Sequence, residues 1–307
     1  MKVLVTGGAG FIGSHICDKL IELNYQVVCV DNLSNGSVHN INHLKSNANF
    51  KFYELDINEL SSEFFKDIDV VCHQAAIGSV PRSINYPELY QHSNVNGFFN
   101  ILNNCKDKGI KVIYASSSSV YGDDATLPKI ETSTGKALSP YAATKQINEL
   151  QAGVFSTVYN MKTIGLRYFN VFGPRQNPNG DYAAVIPKFI NLIYNKEAPL
   201  INGDGLYSRD FTYIDNVVSA NILAIESNIE TNVFNIGAGG NTTINLLFEE
   251  IKKLLNSDIK AIYGPFRKGD IPHSFANIEK AKNILNYNPS VNILQGLEKT
   301  VNYFKNI

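Results

Sequence analysis

Lys2-Val3-Leu4-Val5-Thr6-Gly7-Gly8-Ala9-Gly10-Phe11-Ile12-Gly13 opens the chain, and its reading decides the fold. The run from Lys2 to Thr6 is apolar without alternation, the pattern of a short strand buried on both faces. Gly8, Gly10 and Gly13 satisfy G-x-G-x-x-G, while Gly7, Gly10 and Gly13 satisfy G-x-x-G-x-x-G. A tight turn, a backbone bare enough for a pyrophosphate to approach, and close helix–strand packing all call for glycine at such positions. A helical pattern over 11–23 follows, so the loop ends at a helix N-terminus whose amides and partial positive charge suit phosphate. The glycines alone are a weak signal. A strand before them and a helix after them make a dinucleotide-binding signature.

Outward from that loop, short apolar runs at 26–31, 50–56, 69–73, 111–117 and 163–168 alternate with helical patterns at 59–65, 87–108 and 140–159. The βαβα order predicts an α/β fold of the Rossmann type, a doubly wound parallel sheet with right-handed crossovers. Beyond Asn170 the texture changes, with loop signals at 177–180 and 202–205 and helical patterns at 184–194, 214–226 and 246–255. A strand at 233–236 is expected to rejoin the sheet. The predicted division is residues 1–170 plus that strand for the dinucleotide, and 171–307 for a smaller, mostly helical substrate lobe.

Composition narrows the partners. The 307 residues are 44% hydrophobic, and 27 Lys+Arg face 28 Asp+Glu, a balance that excludes disorder and a broad nucleic-acid-binding face. No apolar run approaches the ~18–20 residues that cross a bilayer, so no membrane partner is expected. Cys17, Cys29, Cys72 and Cys105 are scattered, and His39 and His43 lack a third ligand nearby, so no metal site is expected. Free thiols and the absence of a secretory signal predict a cytoplasmic protein.

The second strand ends at Asp31-Asn32. A carboxylate there accepts hydrogen bonds from ribose hydroxyls and repels a 2′-phosphate, which favours NAD over NADP. Asp56-Ile57, at the end of the third, is placed to reach the adenine edge. Tyr141 and Lys145 stand i, i+4 on one helix face. A phenol is a poor base near neutrality, but a neighbouring ammonium and the charge of an oxidised nicotinamide favour phenolate. Ser116-Ser117-Ser118-Ser119 leaves the fifth strand at the carboxyl edge, where doubly wound sheets bind ligands, and Ser117 can relay a proton.

The combination of TGGAGFIG, Asp31, SSSSVYG and YAATK resembles the extended short-chain dehydrogenase/reductases that modify nucleotide sugars. Within them the chain is most similar to the bacterial UDP-N-acetylglucosamine 4-epimerases, through the segments 73–84, 166–189, 201–214 and 267–274. The resemblance implies tightly held NAD, regenerated each turnover, with Tyr141 as base, Lys145 on the nicotinamide ribose and Ser117 as relay. It implies that Gly7, Gly10, Phe11, Ile12 and Gly13 cradle the dinucleotide, with Asp31, Asn32, Asp56 and Ile57 at its adenosine end. Gln74, Ala75, Ala76, Asn94 and Tyr168 complete that implied pocket. Asn170 and Arg209 are implied at the UDP diphosphate, with Arg267 as a second cation. Ser79, Ser117, Ser118, Ala184, Asp270 and Ser274 complete the implied substrate-binding residues, Ser274 at the pocket wall beside C2. A homodimer, paired through the helices at 87–108 and 140–159, is implied as well.

Related dehydratases and decarboxylases carry a carboxylate just before VYG; this chain has Ser118-Ser119. With no acid–base pair to eliminate water, oxidation at C4, a swing of the 4-keto sugar and return of hydride to its other face is the expected chemistry. The glucose/galactose enzymes place a bulky tyrosine where this chain has Ser274, which favours UDP-GlcNAc and UDP-GalNAc. UDP-glucose/galactose and UDP-hexuronic acids stay open as substrates. A net nucleotide-sugar reductase and a non-catalytic NAD-binding scaffold are the readings from other classes.

Overall fold

The structure, a computed structural model, describes residues 1–179, 183–266 and 271–306. Seven strands form one parallel sheet: β1 (Lys2–Thr6), β2 (Gln26–Asp31), β3 (Phe50–Glu54), β4 (Val70–His73), β5 (Lys111–Ser117), β6 (Thr163–Tyr168) and β11 (Thr231–Ile236). Their order, β11-β6-β5-β4-β1-β2-β3, reverses direction between β1 and β4. A crevice therefore opens above the carboxyl ends of those two strands, the place where ligands enter such sheets. The returning strand near 233–236 does rejoin the sheet, paired in parallel with β6 from Thr231↔Thr163 to Ile236↔Tyr168.

Alternation along the strands feeds two cores. Val3, Val5, Val27 and Cys29 belong to one cluster, and Leu4, Val28 and Val30 to the other, so successive side chains seal opposite faces. Helix α1 (Phe11–Glu22) and helix α7 (Ile214–Glu226) cover the first face and pack on each other. Residues 214–226 thus lie against the sheet, in contact with β4, β5 and β6. Phe98, Ile101 and Leu102 of α4 (Gly97–Cys105) and Ala152 and Phe155 of α5 (Pro140–Tyr159) cover the second.

Two expected helices differ. The stretch 59–65 forms only 3-10 turns, Ile57–Glu59 and Ser62–Phe65. The stretch 87–108 is broken into α3 (Pro87–Tyr90), a π-helical turn over Gln91–Asn96, and α4. Within the π-turn the Asn94 carbonyl accepts from Asn148 Nδ2 of α5 at 2.8 Å, a tertiary contact at the irregularity. A short helix not expected from periodicity, α2 (Val80–Asn85), precedes them.

The remainder pairs short strands with helices. β7 (Val171–Phe172) pairs with β10 (Thr212–Tyr213), and β8 (Leu200–Asn202) with β13 (Ile262–Gly264). β9 (Ser208–Arg209) lies between β12 (Thr242–Thr243) and β14 (His273–Ser274). Helices α6 (Val185–Tyr194), α8 (Ile244–Leu254), α9 (Glu279–Leu285) and α10 (Ile293–Lys305) pack around them. Asp210, fully buried beside β9, accepts from the backbone amides of Ala238, Gly239 and Ala276, at 2.9, 3.1 and 3.3 Å, and so gathers three segments at one carboxylate. Burial raises its pKa to about 6 despite those bonds.

Candidate active site

Two adjoining clefts sit at the carboxyl edge and share Ile12, Gln74, Ala76 and Gly78. The first is built on the glycine loop. Gly7 adopts φ +67, and a Cβ there would lie 2.6 Å from the amide nitrogen of Ala75. At Gly13 a Cβ would stand 2.2 Å from the Gly7 carbonyl oxygen, so glycine alone lets α1 begin this close to the turn. Gly10 caps α1 with no side-chain hydrogen bond, which leaves the first amides of the helix to a ligand.

Asp31 closes the floor. Its Oδ2 accepts from Ala9 N at 3.0 Å and its Oδ1 from Leu33 N at 2.8 Å. Burial raises its pKa, offset by those amides. Each oxygen keeps a second lone pair for a ribose hydroxyl. Asn32 donates to Asp56 Oδ2 at 2.8 Å, tying the ends of β2 and β3 together. Gly7, Gly10, Phe11, Ile12, Gly13, Asp31, Asn32, Asp56, Ile57, Gln74, Ala75 and Ala76 all line this cleft.

Asn94 does not. Its Oδ1 accepts from Ile77 N at 2.8 Å, while its Nδ2 donates to Ile77 O at 3.1 Å and Thr144 Oγ1 at 3.2 Å. With both ends of the amide engaged, it braces the loop from behind.

The second cleft gathers Ser79, Ser117, Ser118, Tyr141, Lys145, Tyr168 and Asn170. Ser139 caps α5, accepting from Ala142 N at 3.1 Å, and Ser83 accepts from Tyr141 N at 3.1 Å, so two hydroxyls fix where Tyr141 emerges. Lys145 is buried, and its Nζ donates to the Ala115 carbonyl at 2.8 Å. Desolvation pulls its pKa to about 8, resisted by Glu149 one turn on. Burial pushes the Tyr141 hydroxyl above its ordinary value, and its hydrogen bond with Ser117 offsets this only in part. Burial thus sets what the Lys145 ammonium and the charge of an oxidised nicotinamide would together have to overcome to favour phenolate.

Ser79 takes φ 85, unusual for a residue with a side chain, and its carbonyl accepts from Tyr90 OH at 2.8 Å. Among the described residues lining the second cleft there is no Asp or Glu.

Other expected positions fall outside these walls. Ala184 is exposed at the start of α6. Arg209 and Ser274 face each other as paired residues of β9 and β14, joined to the cleft through Asn170, whose Nδ2 donates to Asp210 O at 3.2 Å. Neither lines the described walls. Arg267 and Asp270 lie outside the described residues. His43 pairs with Asp18 at 2.7 Å rather than with His39. Arg175 and Gln176, in neither set of expected residues, line the first and second clefts respectively. Both stand in the segment 166–189, but nothing local marks them, because Arg175 is held by Asp18 on α1.

A dinucleotide-shaped crevice beside a phenol, a hydroxyl and a buried ammonium defines the class, an NAD-dependent enzyme of the Rossmann type. Residues 3–237 match the model of the NAD dependent epimerase/dehydratase family, and the chain belongs to that family. It is similar to the UDP-N-acetylglucosamine 4-epimerase from Methanobrevibacter ruminantium M1, solved with UDP-N-acetylmuramic acid. The two are 42% identical with a TM-score of 0.96, covering 99% of this chain and 98% of that one. The UDP-glucose 4-epimerase of Thermotoga maritima, solved with UDP-glucose, is 40% identical with a TM-score of 0.93, covering 100% and 99%. The UDP-glucuronic acid 4-epimerase from Bacillus cereus, solved with UDP-glucuronic acid and NAD, is 33% identical with a TM-score of 0.93, again over 100% and 99%.

Proposed function

We propose that the protein interconverts the C4 epimers of a UDP-hexose, with UDP-GlcNAc and UDP-GalNAc as its preferred pair. The observation that carries the reaction is the second cleft, which joins Tyr141, Ser117 and Lys145 with no carboxylate among its described walls. Elimination or loss of a C5 proton needs an acid–base pair that those walls do not hold. Oxidation and reduction at one alcohol carbon need only a phenol that gives and takes a proton.

NAD fits the first cleft: the bare loop at Gly7 and Gly13, the uncapped start of α1 and the Asp31 carboxylate match a pyrophosphate and a ribose diol. Bound there, NAD supplies an acceptor that takes a hydride and gives it back, and its positive charge. In that field Tyr141 holds the proton of the C4 hydroxyl, directly or through Ser117. Ser117 is itself oriented by the Ser119 amide, which donates to its Oγ at 3.1 Å. Lys145 anchors the floor and adds its charge. Arg209, with Arg267, holds the UDP diphosphate while the sugar turns over, and the proton returns from the same phenol. Arg209 and Arg267 suit that part because a guanidinium fork matches phosphate oxygens.

Ser274 supports the N-acetylated substrates: it is small, buried and in register with Arg209. The purified protein, given UDP-GlcNAc without added cofactor, is expected to yield UDP-GalNAc faster than it converts UDP-glucose or UDP-glucuronate. Preference for either of the latter overturns the substrate assignment. Ser274→Tyr is expected to lower kcat/KM for UDP-GlcNAc by at least tenfold while sparing UDP-glucose. Equal effects on both remove the size argument.

A homodimer is part of the same proposal. Leu150, Val154 and Val158 recur at i, i+4 and i+8 on α5 and are 68%, 56% and 64% exposed, and the exposed Phe99 of α4 packs edge-on against Phe155 of the same helix. A continuous apolar stripe of this kind on two adjacent helices suits a second copy. Sedimentation is expected to show a dimer that Val154→Asp converts to monomer; a wild-type monomer refutes it.

A further inference from the structure

We propose that Arg175 is the cation that grips the dinucleotide pyrophosphate, and that Asp18 positions it. The inference rests on NAD as cofactor and is independent of which sugar is epimerised.

Arg175 follows β7 in a turn that runs past the glycine loop. Its Nη2 pairs with Asp18 Oδ2 at 2.8 Å, and Asp18 Oδ1 is in turn bound to His43 Nε2 at 2.7 Å. The neighbouring Pro174 carbonyl is bonded to His15 Nε2 at 3.1 Å, so α1 holds the turn at two points. These contacts fix the guanidinium from one side. The other side is unspent: Nη1 is buried and has no hydrogen-bond partner.

A buried charged donor left empty is unfavourable, because it has lost water and gained nothing. The backbone at Arg175 adds strain, with φ 66 for a long side chain. Both features persist at a place that faces the first cleft, beside Gly10, Phe11 and Ile12. Among the described residues lining that cleft, Arg175 is the one cation, and Asp31 and Asp56 are carboxylates. The start of α1 offers about half a positive charge. A pyrophosphate carries two negative charges, so a guanidinium completes the match and satisfies Nη1. Arg175 lines the first cleft and not the second, which assigns it to the dinucleotide rather than to the sugar nucleotide.

The test uses full-length protein stripped of NAD and titrated calorimetrically with NAD, ADP, adenosine and UDP. Arg175→Ala is expected to weaken NAD and ADP by about tenfold or more, the worth of a hydrogen bond to a charged group. Adenosine and UDP should bind as they do to wild type. Asp18→Asn is expected to give a smaller loss with the same pattern, since it loosens the guanidinium without removing it. NAD carried through purification should fall in both variants, which supplies a readout that needs no stripping. An equal loss of adenosine binding would mark Arg175 as structural support for the loop. Weakened UDP with unchanged ADP would place its charge in the other cleft. Either result overturns the proposal.

Discussion

Tyr141→Phe is expected to reduce kcat by about 10²–10⁴-fold, the range for removing a general acid–base group, while NAD and UDP-sugar remain bound. The substitution deletes one oxygen and little else. The ring keeps its edge contact with Tyr90, at 6.1 Å between centroids, and Ser83 holds the backbone amide and not the hydroxyl. The first cleft is lined by other side chains, so cofactor content should match wild type. Turnover measured by separating the two epimers, together with NAD released on denaturation, checks both halves. Near-normal turnover would assign the proton transfer elsewhere. The sign of the pH dependence follows from the burial of both partners. Tyr141 must shed a proton that burial holds on, so activity should fall as pH drops through its working pKa. Lys145 loses its ammonium as pH rises through about 8, which sets an upper limb.

Strands were easier to read in this chain than the residues that aim its chemistry. β1, β2, β5 and β6 end where the sequence runs end, because their central positions are continuously apolar and buried on both faces. The helix over 140–159 was equally plain, bounded by Ser139 and by Asn160 in the left-handed region. The π-turn at Gln91–Asn96 had no local signal. Its contacts run to Asn148, over 50 positions away, and from Asn94 back to Ile77. Separation in sequence also hid Arg175 from Asp18 and Asp210 from Ala238. Motif spacing reports residues that share an element. Pairs assembled by folding leave no such trace. The pKa of Tyr141 shows the limit in energetic form: the i, i+4 spacing put Lys145 on its face, but the burial that raises the phenol's pKa comes from the whole fold.

Glu149 illustrates how such an assembled pair can couple stability to catalysis, and Glu149→Gln is expected to have the largest effect on folding. Its carboxylate takes two bonds from Arg167, Nε to Oε1 at 2.9 Å and Nη2 to Oε2 at 2.7 Å, and a third from Ser116 Oγ at 2.5 Å. Arg167 is 4% exposed, so an amide in place of the carboxylate leaves a buried guanidinium without its countercharge. Breaking a buried pair in this way costs about 3–5 kcal/mol. Against a total of about 5–15 kcal/mol, the urea midpoint should drop plainly. Glu149 also props up the Lys145 ammonium against desolvation, so its loss should lower that pKa further and move the upper limb of the pH–rate profile to lower pH. Adding Arg167→Met removes the stranded charge and should restore much of the stability, because a buried pair replaced by apolar side chains is often neutral. It should not restore the limb, since Lys145 still lacks its neighbour. Recovery of both together would mean that Glu149 acts on catalysis only by keeping the protein folded, and an unchanged urea midpoint in the single variant would remove the buried pair from the account of stability.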